Sequence, residues 1–247
     1  MHKNTVLLVI IAALTGLIGG FLLANSLNRA EINALRSQVG PAKAVNSAEP
    51  KNDSDATLSN DELRAKIAEA DKNPTNFTYQ KNLGISLYKY SETTPGQGVL
   101  SEALRILTRA NELNGKDFDV LVALGNAHFD TGFNKKDIAS FETARQIYSK
   151  ALELNPGDSN VRTDLGISYL VQEPPEYDKA AGELNRVLST NPQHDRAMQF
   201  LVQTYVKQGK LPEADKMLAR IIEINPSNPA INDLRSQISA AKNGTNK

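Results

Sequence analysis

The chain has 247 residues, with 28 basic and 28 acidic side chains and no formal net charge, so it carries no excess charge to hold nucleic acid or an anionic lipid surface. It contains no cysteine, which excludes disulfides, thiolate metal sites and cysteine nucleophiles together. Its histidines, His2, His128 and His194, stand far apart, with no His-Glu-x-x-His spacing and no calcium-loop acidic cluster, so neither a metal site nor a cofactor is expected.

A short tail, residues 1–4, precedes a run from Val6 to Ala24 that carries no charge over 19 residues. At about 1.5 Å per residue that run matches the roughly 30 Å apolar core of a bilayer, and a transmembrane anchor is assigned to residues 5–27. The run is longer than the apolar core of a cleaved signal peptide, and Leu22 stands where an Ala-x-Ala cleavage motif wants a small residue before Ala24. Lys3 in the short head favours an amino terminus inside the cell, although Arg29, Arg36 and Lys43 beyond the span nearly balance it. The expected location is the cytoplasmic (inner) membrane, with the remainder of the chain on its periplasmic or outer side. Ala12, Gly16, Gly20 and Ala24 recur every four residues on one face of the span, a surface that lets a second helix approach closely and would support a homodimer. The plainer alternative is that glycine is simply frequent in membrane helices.

Residues 28–40 keep apolar positions at Ile32, Leu35 and Val39 and end at Gly40–Pro41, which predicts a juxtamembrane helix. Residues 41–58 are rich in Pro, Ala, Ser, Asn and Asp and are expected to form a flexible linker with little to bury. A capping-box pattern at Ser59 and Glu62 then opens a leading helix over 59–73, closed before Asn73–Pro74.

From there the chain repeats itself. Leu83–Gly84, Leu124–Gly125 and Leu165–Gly166 recur at intervals of 41 residues, and Asn155–Pro156, Asn191–Pro192 and Asn225–Pro226 at intervals of 36 and then 34. Such periods suit stacked helix pairs, in which no unit buries its apolar face alone. The units read 74–115, 116–156, 157–192 and 193–226, followed by a capping helix over 228–242 with Ile231, Leu234 and Ile238 on one side. Within each unit a Leu-Gly pair and a following large residue precede an Ala/large/Ala-type series: Ala103, Leu107, Ala110; Ala144, Tyr148, Ala151; Ala180, Leu184, Val187; Ala214, Leu218, Ile221. In the fourth unit Val202 replaces the glycine. In the first two units the Gly-to-Ala interval is 19 residues rather than 12, and the extra residues, around SETTPGQG and DTGFNKKD, are expected to bulge as loops.

This pattern resembles the tetratricopeptide repeat. The resemblance implies an all-α superhelix (α-solenoid) of about four helix pairs with leading and capping helices, here behind an N-terminal transmembrane helix. It further implies that the first helix of each pair lines a groove for a protein or peptide partner, with groove positions at Lys81, Ile85, Tyr88 and Lys89 in the first unit and Val122, Asn126 and Phe129 in the second. The third unit contributes Ile167 and Leu170 and the fourth Gln199, Gln203 and Val206. The alternative for Tyr88, Phe129, Ile167 and Leu170 is burial in the core, the usual fate of large apolar residues at helical spacing. A chaperone-tail clamp of the kind some family members carry would need asparagine where Ile85 stands. No catalytic constellation is legible. The layout of one span, a tether and a repeat array is similar to bacterial accessory proteins of cytochrome c maturation; the other reading is a structural subunit of an envelope complex acting through its membrane helix and convex surface.

Overall fold

The computed structural model describes residues 60–93 and 98–244. These form ten α-helices with no strand among the described residues: α1 (Asn60–Lys72), α2 (Phe77–Thr93), α3 (Val99–Leu113), α4 (Phe118–Lys135), α5 (Ile138–Leu154), α6 (Ser159–Val171), α7 (Tyr177–Thr190), α8 (Asp195–Lys207), α9 (Leu211–Ile224) and α10 (Ile231–Gly244). The tail, the span over 5–27 with Ala12, Gly16, Gly20 and Ala24, the helix over 28–40 and the linker over 41–58 lie outside the described residues. No helix among the described residues is long and apolar enough to cross a membrane.

Four antiparallel pairs, α2/α3, α4/α5, α6/α7 and α8/α9, stack in chain order, and each second helix also lies against the first helix of the next pair. α1 leans on α2, and α10 closes the other end against α8 and α9. Successive first helices α2, α4, α6 and α8 touch one another, whereas successive second helices stay further apart. The array therefore curves with the first helices on its inner face.

The punctuation of this plan is local. Asn76, Asp117, Asp158 and His194 each accept a hydrogen bond from the backbone amide three residues on, at the head of α2, α4, α6 and α8, filling donors that a helix start leaves open; Asn228 accepts the Ala230 amide in the turn before α10. Asn114, Asn155, Asn191 and Asn225 end the second helices, each leaving helical geometry while its amide still bonds the carbonyl four residues back. Proline follows three of these four asparagines and cannot extend the helix.

Within each pair the glycine explains the close approach. A Cβ placed on Gly84 would stand 2.9 Å from Leu107, on Gly125 2.7 Å from the Tyr148 ring, and on Gly166 3.1 Å from Leu184. In the fourth pair Val202 occupies the equivalent place, fully buried, opposite α9 with its buried Leu218. Buried side chains run continuously along the stack, from Leu87, Ile106 and Leu107 through Leu121, Phe141, Tyr148 and Ile167 to Met198, Leu201, Ile221 and Leu234.

One local expectation is corrected. The segment DTGFNKKD does not bulge: α4 stays helical through Lys135, the left-handed Lys136 makes the turn, and Asp137 caps α5. The extra residues lengthen both helices, giving 18 and 17 residues in this pair against 13 and 14 in the fourth. Physically, Phe133 is half-buried and Gly132 accepts the close approach of Phe141, 3.0 Å from where its Cβ would stand, so the added turn packs against its partner helix. In the first pair α2 likewise continues through Ser91, Glu92 and Thr93.

Candidate functional site

The inner face is built from four equivalent positions on each first helix, and the structure sorts the sequence candidates by position. Lys81, Val122 and Gln199 occupy the first; Ile85, Asn126, Ile167 and Gln203 the second; Tyr88, Phe129, Leu170 and Val206 the third; Lys89 the fourth. Lys81, Ile85, Val122, Asn126, Gln199, Gln203 and Val206 are half-buried and Lys89 is exposed. Tyr88, Phe129, Ile167 and Leu170 are buried. The third position is thus buried in units one to three and half-buried at Val206, near the end of the array. Phe129 packs edge-on against Phe141 with ring centroids 5.5 Å apart, and Thr163, at the first position of unit three, is also buried.

Polar bonds stitch the inner face together. The Lys81 ammonium donates to Asp117 and Asp119, each at 2.8 Å; these bonds raise the lysine pKa above its ordinary value. Asp117 is held below the usual carboxylate range although burial opposes this, because Lys81 and the Val120 amide favour its charge. Lys81 is therefore engaged within the fold, and with Ile85 beside it this face offers no clamp for a terminal carboxylate. The Tyr88 hydroxyl donates to Asp130 at 3.0 Å, joining α2 to α4. The Tyr148 hydroxyl passes Gly125 and donates to Asn126 Oδ1 at 2.9 Å. Burial pushes both tyrosines well above their ordinary values. Arg196 on α8 pairs with Asp164 on α6 at 2.5 Å, yet burial still raises the Asp164 carboxyl. Arg196 also lies over the Phe200 ring, 5.7 Å from its centroid.

Sequence reasoning passed over Tyr148, Asp164 and Arg196 as parts of this face. One signal was available: Tyr148 stands where the other units have Leu107, Leu184 and Leu218, and a buried hydroxyl requires a partner. His128 is half-buried and its pKa is lowered by burial. Among the described residues no cluster of His, Cys, Asp and Glu has the grouping to hold a metal ion. The array can offer amide groups and apolar side chains to a chain laid along it.

Comparison with known proteins agrees with this architecture. Residues 176–238 match the tetratricopeptide repeat family model. Protein PHOX3 of Arabidopsis thaliana is 28% identical over 106 residues, covering 41% of this chain and 13% of its own length. BBSome complex member BBS4 of Bos taurus is 26% identical over 132 residues, covering 53% of this chain and 24% of its own. The chain thus spans at most about a quarter of these relatives. Among solved structures, MamA superposes with a TM-score of 0.54 at 22% identity, over 67% of this chain and 81% of MamA. A tetratricopeptide repeat protein from Parabacteroides merdae gives 0.58 at 21% identity, over 74% and 65% respectively. With four stacked helix pairs and a buried glycine or valine inside each, the chain has the fold of tetratricopeptide repeat proteins, and its residues 176–238 match that family's model.

Proposed function

We propose that the protein is a protein–protein interaction module that holds a polypeptide segment against its inner face, anchored to a membrane through residues 5–27. The observation that carries the reading is the row of half-buried apolar and amide side chains on the first helices: Ile85, Val122, Asn126, Gln199, Gln203 and Val206. Apolar groups laid on such a row gain about 25 cal/mol per Å² removed from water, and amide side chains can bond a peptide backbone. An amphipathic helix or an extended apolar segment fits that mixture. Membership of a relative such as BBS4 in a named complex is compatible with an assembly role. The narrower version, on the periplasmic side of an inner membrane in cytochrome c maturation, rests on the layout of span, tether and array.

A second reading has its own support. Leu113, Leu154 and Ile224 end the second helices of three units and are 39%, 45% and 37% exposed, a periodic apolar edge away from the inner face that suits a structural subunit of a larger complex.

Affinity purification of the full chain from its native membrane in mild detergent separates the two. Phe129→Asp is a poor probe because Phe129 is core; Val122→Glu/Val206→Glu alters the inner row and Leu154→Glu/Ile224→Glu the outer edge. Partners lost only with the first pair, c-type apocytochromes among them for the narrower version, are the expected result. Partners lost only with the second pair would transfer the function to the edge.

A further inference from the structure

The four first helices of this array are each capped by a side chain that accepts a backbone amide, and three of those caps are Asn or Asp. Asn76, Asp117 and Asp158 keep an accepting oxygen at every pH near neutrality. The cap of α8 is His194, whose Nδ1 accepts the Ala197 amide at 3.2 Å. Its Nε2 lies 3.1 Å from Asn160 Oδ1 on α6. A neutral imidazole has one donor and one acceptor, so the amide bond fixes the proton on Nε2, and Nε2–H donates to Asn160. One ring therefore closes the head of α8 and ties it to the third unit.

We propose that His194 is a proton-sensitive joint between the third and fourth units, which loses its cap when the ring takes up a second proton. The chemistry is local. A proton on Nδ1 would set its N–H against the Ala197 N–H, two donors facing each other, and would place a cation at the positive end of the helix dipole. The groups around the ring act in both directions. Asp158 on the head of α6 and Asp195 on α8 favour the charged ring; burial, the larger influence, and Arg196 disfavour it. Asp195 is itself bonded twice by the Asn228 amide from the head of α10, at 2.7 and 2.6 Å. Arg220 of α9 donates to the Pro192 carbonyl in the same turn at 2.5 Å. The net effect holds the imidazole below its ordinary value.

The sign follows from linkage. The unfolded chain takes up the histidine proton near pH 6.5, before the folded chain does. The stability that the neutral cap adds is complete above that pH and is lost as pH falls from about 6.5 toward the lowered folded value, each unit of depression being tenfold in the folding equilibrium. Asp164 across the same seam has the opposite sign, because its raised pKa makes the fold prefer the protonated acid. A comparison with a variant changed only at His194 cancels that contribution. The first turn released by the protonated ring carries Arg196 and Gln199, so the seam between α6 and α8 responds to acid while the seam whose helix is capped by Asp117 does not.

The test uses the full chain in detergent with nitrogen-15 histidine, in which three rings are to be distinguished and His194 is assigned by its loss in His194→Asn. The expected result is a neutral Nε2–H tautomer at pH 8, a titration midpoint below about 6.5, and Ala197 amide exchange, corrected for intrinsic rates, that rises about tenfold between pH 7.5 and 5. In His194→Asn the cap remains and that rise should be absent; His194→Asp serves the same purpose if the first variant folds poorly. An Nδ1–H tautomer, a midpoint at or above 6.5, or the same pH dependence at Ala197 in wild type and variant would overturn the proposal.

Discussion

The second and fourth units are built on one plan and solve the same packing problem with opposite side chains. In the second, Gly125 leaves room for the Tyr148 ring, which lies 2.7 Å from where a Cβ would stand and reaches Asn126 with its hydroxyl. In the fourth, Val202 fills the inner helix and the facing helix supplies Leu218 instead. The two pairs thus place their bulk differently: a large ring on the second helix against a glycine, or a buried valine on the first helix with a buried leucine on the second. Gly84 and Gly166 meet leucines almost as closely, 2.9 and 3.1 Å from where a Cβ would stand, so the glycine answers to how closely the two helices of a pair approach, and in the second unit the Tyr148 ring sets that demand.

The comparison can be broken most severely at Gly125→Val, which forces a branched side chain into the Tyr148 ring and should cost about 3 kcal/mol in urea unfolding. Making the second unit resemble the fourth, with Gly125→Val/Tyr148→Leu, should recover at least about 1 kcal/mol of that loss as a coupling term. Equal losses in the single and double variants would show that the exchange of volume is not the governing variable. The reverse change, Val202→Gly, should cost about 2 kcal/mol, from the cavity beside Leu218 and the lower helix propensity of glycine. Smaller still, Asp117→Ala removes the α4 cap and one partner of Lys81 and should lower stability by about 1 kcal/mol; a loss that does not change with pH between 5 and 8 would separate this cap from the one at His194.

The helix pairs, their order and their ends were legible because each rests on a short-range rule. Glycine marks close approach, an Asn-Pro step ends a second helix, and a polar residue before an apolar run opens a first one. The leading helix expected over 59–73 and the cap over 228–242 correspond to Asn60–Lys72 and Ile231–Gly244. The DTGFNKKD segment misled because Gly132 and Asn134 signal a turn locally, whereas Phe133 and the contact of Gly132 with Phe141 favour another helical turn once α5 is in place. The inner face was half legible. Counting positions named Tyr88, Phe129 and Leu170 as groove residues, yet all three are buried, Tyr88 bonded to Asp130 of the following unit and Phe129 packed on Phe141 of its own pair. Such partners stand on other helices, out of reach of a pattern read along one. Lys81 shows the same limit, since its partners Asp117 and Asp119 come from the following unit.

The central claim, that a polypeptide lies along the first helices, is tested most directly by photo-crosslinking the full chain in its native membrane. The crosslinking residue is placed at Val122 or Gln203 on the inner face, and at Gln146 or Lys216, which are exposed on second helices. Discrete adducts to the same polypeptide from both inner positions and none from the outer ones are predicted. Adducts confined to Gln146 and Lys216 would contradict the account and place the working surface on the outside of the array.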